Sequence, residues 1–128
     1  MSSDRYHDGS GWQEKAGYSR ALRRGNHIYV SGTTANAGDG GVIEQGVGDQ
    51  TAVALSQAIA AVEALGGSME DIVRTRLLLV PGADWEAAAA AHRDILGHVA
   101  PANTMLFVHS LIGDGFSVEV EVEAVLDS

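Results

Sequence analysis

Three glutamates, Glu119, Glu121 and Glu123, recur at every second residue of the stretch Phe116–Val125. That spacing puts three carboxylates on one face of a strand, with Val118, Val120, Val122 and Ala124 on the other. Like charges side by side repel, so the acidic face has to meet water, a cation or another subunit. A carboxylate held there in a partly buried site has one obvious chemistry, which is to accept a proton from an attacking water. Arg74 and Arg76 alternate in the same way within Ile72–Val80. Arg–Glu pairs across neighbouring strands are therefore the competing use of the same groups, and they would make burial of this face tolerable.

The other reactive side chains form no standard constellation. The chain has no cysteine, which excludes disulfides, thiolate ligands and a thiol nucleophile. Of the five histidines, His92 and His98 are six apart, and His27 and His109 fall on separate strands, so no metal spacing is present and no metal is expected. His92 would serve as a hydrogen-bond donor or base if its helix turned it toward a cleft, although a surface position is the commoner fate of such a residue. Ser31 has no His and Asp near it in sequence, which favours a hydrogen-bonding role over a nucleophilic one. The glycines around Asp39-Gly40-Gly41 are not followed by Gly-Lys-Ser/Thr, and they read as a hairpin turn rather than a phosphate loop.

The elements that must carry these residues follow from periodicity and turn chemistry. Gly17–Arg23 and His27–Thr33 alternate as strands around Arg24-Gly25-Asn26, and Val42-Ile43 is a short further strand. Asp49 is the expected N-cap of a helix through Leu65, closed by Gly66-Gly67. Ser68–Asp71 resembles a capped turn. Ile72–Val80 is a strand with Val73, Thr75, Leu77 and Leu79 opposite the arginines. Asp84 caps a helix over Trp85–Leu96, closed by Gly97, whose alanine run predicts close packing. Thr104–Ser110 and the acidic strand complete the chain. Residues 1–16 are expected to be a flexible segment, and residues 17–128 a single α+β domain with both helices on one face of a mixed sheet. The uncovered face then calls for a symmetric partner.

Composition narrows the partners. Seventeen acidic against eight basic residues give a net charge of −9, which opposes nucleic-acid binding. No apolar run reaches the length of a membrane span, and the first residues are too polar for a signal peptide, so a cytoplasmic location without membrane contact is expected.

The segments Gly17-Tyr18-Ser19, Ile28–Thr33, Asp71–Thr75, Asp84-Trp85 and Glu119–Ala124 resemble, in order and spacing, the Rid family of YjgF-type reactive-intermediate deaminases. The resemblance implies a chorismate-mutase-like fold, a homotrimer whose sheets form a barrel, and an intersubunit pocket for a small metabolite, with no cofactor. It implies hydrolysis of imines or enamines, with Glu121 positioning water and Tyr18, Ser31 and Gly32 lining the pocket. Pro101-Ala102-Asn103-Thr104-Met105 stands where the family carries Pro-Ala-Arg-Ser/Thr-Cys, so Asn103 and Met105 occupy the places of the clamping arginine and the cysteine. Ala89 likewise stands where active members often carry a pocket asparagine. Asn103 brings no charge to grip a carboxylate; Arg74 or Arg76 is then the candidate replacement, with His92 facing the same cleft. The alternatives are a non-catalytic ligand-binding or regulatory homotrimer and, more weakly, a ribonuclease or translation inhibitor, which the acidic charge disfavours.

Overall fold

The acidic strand lies inside the sheet, and the rest of the domain is built on it. In the computed structural model, which describes residues 3–9, 11–37, 41–42 and 46–127, the chain runs β1 (Ser3–Tyr6), α1 (Trp12–Ala16), β2 (Ala21–Arg24), β3 (His27–Thr33), α2 (Val47–Ala64), a 3-10 turn (Met69–Asp71), β4 (Ile72–Leu79), α3 (Trp85–Leu96), β5 (Ala102–Phe107) and β6 (Val118–Val125). The strands form one mixed sheet in the order β1-β2-β3-β6-β4-β5, in which β4 and β5 are parallel and the other pairs antiparallel. Val118, Val120, Val122 and Ala124 are at most 1% exposed beneath α2, where each buried valine contributes about 1.5–3 kcal/mol. α2 and α3 cover this face alone, as their single apolar stripes require. Gly48 packs against Ala87, the close approach that the alanine run of α3 permits.

Local signals account for most boundaries. Gly25 (φ 61°) and Asn26 form the two-residue turn of the β2–β3 hairpin. The Asp84 carboxylate accepts from the Glu86 and Ala87 N–H groups and starts α3, while Ser68 and Asp71 close a capping box. α2 ends as expected: Gly66 takes φ 94°, and the Gly67 N–H donates to the Val62 carbonyl.

Several expectations are corrected. Gly46, not Asp49, is the N-cap of α2, and Asp49 sits in its first turn, where a carboxylate favours the helix dipole. Gly97 is right-handed, and Ala100 takes the positive φ after α3. Val73 does not join Thr75, Leu77 and Leu79 in the core. β4 advances two residues, Ile72 to Arg74, while β6 advances one, and this bulge leaves Val73 44% exposed and turns Ile72 inward. The segment before Gly17, expected from sequence to be flexible, carries β1 at the edge of the sheet and the short helix α1. Asn36 bridges Val42; Ile43, Asp39 and Gly40 lie outside the described residues.

Candidate functional site

A second bulge creates the site. Between the pairs Val30↔Val122 and Thr33↔Val120, β3 advances three residues while β6 advances two. Ser31 and Gly32 together oppose Glu121, and Thr33 rather than Gly32 is returned to the core. The extra residue is held in place by hydrogen bonds: Ser31 Oγ donates to the Ser19 carbonyl (2.7 Å), Thr33 Oγ1 to the Ser31 carbonyl (2.8 Å), and the Ser31 N–H to the Arg20 carbonyl (3.0 Å). The Ser31 hydroxyl is thus bonded to the Ser19 carbonyl, not to the backbone of Gly32 or Thr33.

Two concavities meet at Gly32. The smaller, about 280 Å³, lies on the open face and is lined by Tyr29, Ser31, Gly32, Arg74, Arg76 and Glu121 among others. Here the expected ion pairs form within one chain. Arg76 Nη1 donates to Glu121 Oε1 at 3.1 Å, and Arg74 Nε stands 3.8 Å from Glu123 Oε2. The registers Arg76↔Glu121 and Arg74↔Glu123 make these direct cross-strand neighbours. Both arginines suggested as replacement clamps therefore already have carboxylates.

The larger cavity, about 540 Å³, lies beside Gly32 between the end of β3, α2, the N-terminal segment and the loop before β6. Tyr18, Arg20 and Glu119 line it together with Trp12, Ile112 and Phe116. Gln50, fully buried in α2, holds the loop by donating to the Gly115 carbonyl and accepting from the Ser117 N–H. The Glu119 carboxylate lies so close over Gly32 that a Cβ there would stand 2.7 Å from Oε2, which is a steric reason for glycine. Among the described residues Glu119 has no hydrogen-bond or ion-pair partner; burial, and next the charge of Glu121, push its carboxyl above the usual range, opposed by Arg20. The Arg20 guanidinium donates to the Gly32 carbonyl and lies 5.9 Å from the Tyr18 ring.

The remaining candidates sit elsewhere. Asn103 and His92 both bind Thr75, which is fully buried on the helix-covered face: Asn103 Nδ2 donates to Thr75 Oγ1 at 3.0 Å, and Thr75 Oγ1 meets His92 Nε2 at 2.8 Å. Thr75 Oγ1 thus joins the two side chains across the β4–β5 edge and α3. Burial lowers the His92 pKa below its ordinary value and favours the neutral imidazole. Met105, on the same edge strand, packs against the core. Within one chain, then, Glu121, Arg76, Ser31 and Gly32 converge, Tyr18 lines the adjoining cavity, and Asn103, Met105 and His92 lie at the far edge. Arg20 and Glu119 were missed as site residues. The signal available for Glu119 was shared with its two neighbours in the alternation, and nothing local distinguished it. Among the described residues no group of three or more histidines or acids gathers to hold a metal, and no helix is long and apolar enough to cross a membrane.

A mixed sheet with two helices on one face, an open charged face and a bulge-built cleft at Gly32 defines a class of α+β small domain, and sequence comparison says which. The family model described as Endoribonuclease L-PSP matches residues 12–126, and the chain belongs to this YjgF/RidA/UK114 family. It is 38% identical to protein SCO2049 of Streptomyces coelicolor over 123 residues, covering 94% of this chain and 90% of that one. Rv2704 of Mycobacterium tuberculosis, described as a YjgF/YER057c/UK114 family member, is 30% identical with a TM-score of 0.88, over 98% of this chain and all of that one (100%). The E. coli YjgF gene product aligns at 26% identity and a TM-score of 0.78, over 86% and 88% of the two chains.

Proposed function

We propose that this chain is a cytoplasmic homotrimeric hydrolase of small imines or enamines, working at the cleft beside Gly32 without a cation at position 103. The observation that carries the reading is the convergence of Glu121 with Ser31 and Gly32 in a β-bulge, with Arg76 fixing the Glu121 carboxylate from one side. Glu121 Oε2 is then available to take a proton from a water adding to the imine carbon. As the C–N bond breaks, that proton passes to the departing nitrogen, so one water and one imine give one carbonyl compound and ammonia. The homotrimer is supported by the open face itself: Tyr29 (46%) and Leu106 (42%) are exposed beside paired charges, a surface that a second copy would cover.

The test uses imines generated in situ by an amino-acid oxidase, with release of the 2-oxo acid followed in time. Glu121→Gln keeps shape while removing the base, and should lower turnover by about two to four powers of ten while light scattering still gives about three times the 13.3 kDa chain. Equal turnover by wild type and variant would refute the role of Glu121. Absence of turnover, with a small ligand still raising the melting temperature, would favour the non-catalytic binding homotrimer.

A further inference from the structure

Of the arginines around the bulge, Arg20 is the one bonded to backbone rather than to a carboxylate. Arg74 and Arg76 stand against Glu123 and Glu121, whereas Arg20 Nη2 donates to the Gly32 carbonyl. Glu119 lines the same cavity as Arg20, yet among the described residues no salt bridge joins them. The guanidinium takes the carbonyl, and in that orientation its Nε is buried without a partner among the described residues. A buried donor left unpaired costs free energy and calls for a compensating gain. The gain here is a charge-assisted hydrogen bond to the backbone of the bulge.

A bulge is where such a bond has leverage, because its extra residue falls out of the ladder and its backbone groups are fixed by whatever else bonds to them. The Arg20 carbonyl accepts from the Ser31 N–H (3.0 Å), while the Arg20 N–H donates to the Tyr6 carbonyl (2.8 Å) and so ties the strand end to the N-terminal segment. One residue therefore grips both members of the bulge, Ser31 through its N–H and Gly32 through its carbonyl. Ser31 and Gly32 together face Glu121, so a shift of either alters their spacing from that carboxylate. Arg20 itself lines the larger cavity and not the smaller one that contains Glu121. We propose that Arg20 is a positioning residue: its side chain holds the Gly32 carbonyl, and through it the placement of Ser31 and Gly32 against Glu121. Its effect on turnover rests on the imine-processing function proposed above; its hold on the bulge does not.

Hydrogen exchange followed by mass spectrometry reads the bulge without requiring activity. In Arg20→Met, which keeps length and removes both donor and charge, residues 30–34 should exchange about tenfold or more faster than in wild type, with β4 unchanged. Arg20→Lys, which keeps the charge and a donor, should fall between them. Arg23→Met is the control, since Arg23 lies on the neighbouring strand and donates to the Gly25 (2.7 Å) and Leu65 (2.8 Å) carbonyls. It should loosen those two turns and leave both the bulge and turnover as in wild type. In the oxidase-coupled assay Arg20→Met should lower kcat by about tenfold to a hundredfold with KM close to wild type, and Arg20→Lys should recover part of the loss. If Arg20→Met does not fold, Arg20→Lys against Arg23→Lys decides: faster exchange at 30–34 in the first alone supports the hold. Unchanged exchange there in folded Arg20→Met, or an equal rise in Arg23→Met, would overturn the proposal, as would a raised KM with kcat intact. Faster exchange at the bulge with no turnover even in wild type would refute the hydrolase and leave the hold standing. Turnover lost in Glu121→Gln and unchanged in Arg20→Met would keep the hydrolase and overturn the positioning role.

Discussion

Whether the open face is wet or covered decides what the Arg76–Glu121 pair is worth, and a double-mutant cycle measures it. In one chain the two side chains are 38% and 39% exposed, with a donor–acceptor distance of 3.1 Å. A pair so exposed to water contributes about 0.2–1 kcal/mol. Covered by a second copy, the same hydrogen bond between charged groups contributes about 1.5–3 kcal/mol. Arg76→Met and Glu121→Gln, singly and together, should therefore show a coupling of about 1.5–3 kcal/mol in urea unfolding at fixed protomer concentration. Arg76→Met should cost more than the double variant, since it leaves a carboxylate unpaired under the interface. The neighbouring Arg74–Glu123 pair, at 3.8 Å and beyond hydrogen-bond distance, is an internal standard and should couple by no more than about 1 kcal/mol. A coupling of about 0.5 kcal/mol or less for Arg76–Glu121, with the single variants additive, would show a solvated face and refute the covered-barrel reasoning.

Three further outcomes test the energetics of the site. Glu119 holds its proton more tightly folded than unfolded, a contribution fully present below pH 4.5 and lost as the pH rises through the raised folded value; Glu119→Gln should therefore stabilise the protein at pH 7, with a gain that vanishes toward pH 4 in denaturation series. His92 has the opposite sign: its lowered folded pKa gives stability present above pH 6.5 and lost as the pH falls through the folded value, so His92→Gln should flatten the acid side of the stability profile. Ala100 adopts φ 51°, which costs a non-glycine residue about 1–2 kcal/mol, and Ala100→Gly should return about 0.5–1 kcal/mol of this in thermal unfolding after the backbone entropy of glycine is charged against it.

What could be read from the chain divides along the range of the interactions involved. The valine face of β6, the Asp84 cap and the Gly25-Asn26 turn are legible because each depends on residues within a few positions of one another. The two bulges are not, since a bulge exists only relative to the register of a partner strand. Val73 obeys the alternation of its own segment and is displaced because β4 takes two steps against one of β6. Asn103 and His92 are brought to Thr75 by the parallel pairing of β4 with β5 and the packing of α3, contacts spanning 28 and 17 residues. β1 escaped notice for another reason: Ser3–Tyr6 is polar and short, and its strand conformation comes from pairing with Ala21–Arg24 rather than from its own propensity.

Glu119 and Glu121 show why identical sequence surroundings end in different chemistry. Both lie on one face of β6, two residues apart, yet the bulge at Ser31-Gly32 divides the space over them. Glu121 opens to the cleft, where Arg76 compensates its charge. Glu119 is tucked over Gly32 into the larger cavity, where burial and the negative charge of Glu121 both favour its protonated form. Neighbouring carboxylates on one strand face are thus set in different surroundings by the register of the partner strand. A side chain at position 32 would displace the Glu119 carboxylate. Gly32→Ala therefore displaces the Glu119 carboxylate before it disturbs the fold, because the group it strikes is the movable end of a side chain. The residue with no functional group of its own thus sets where the Glu119 carboxylate lies relative to Glu121.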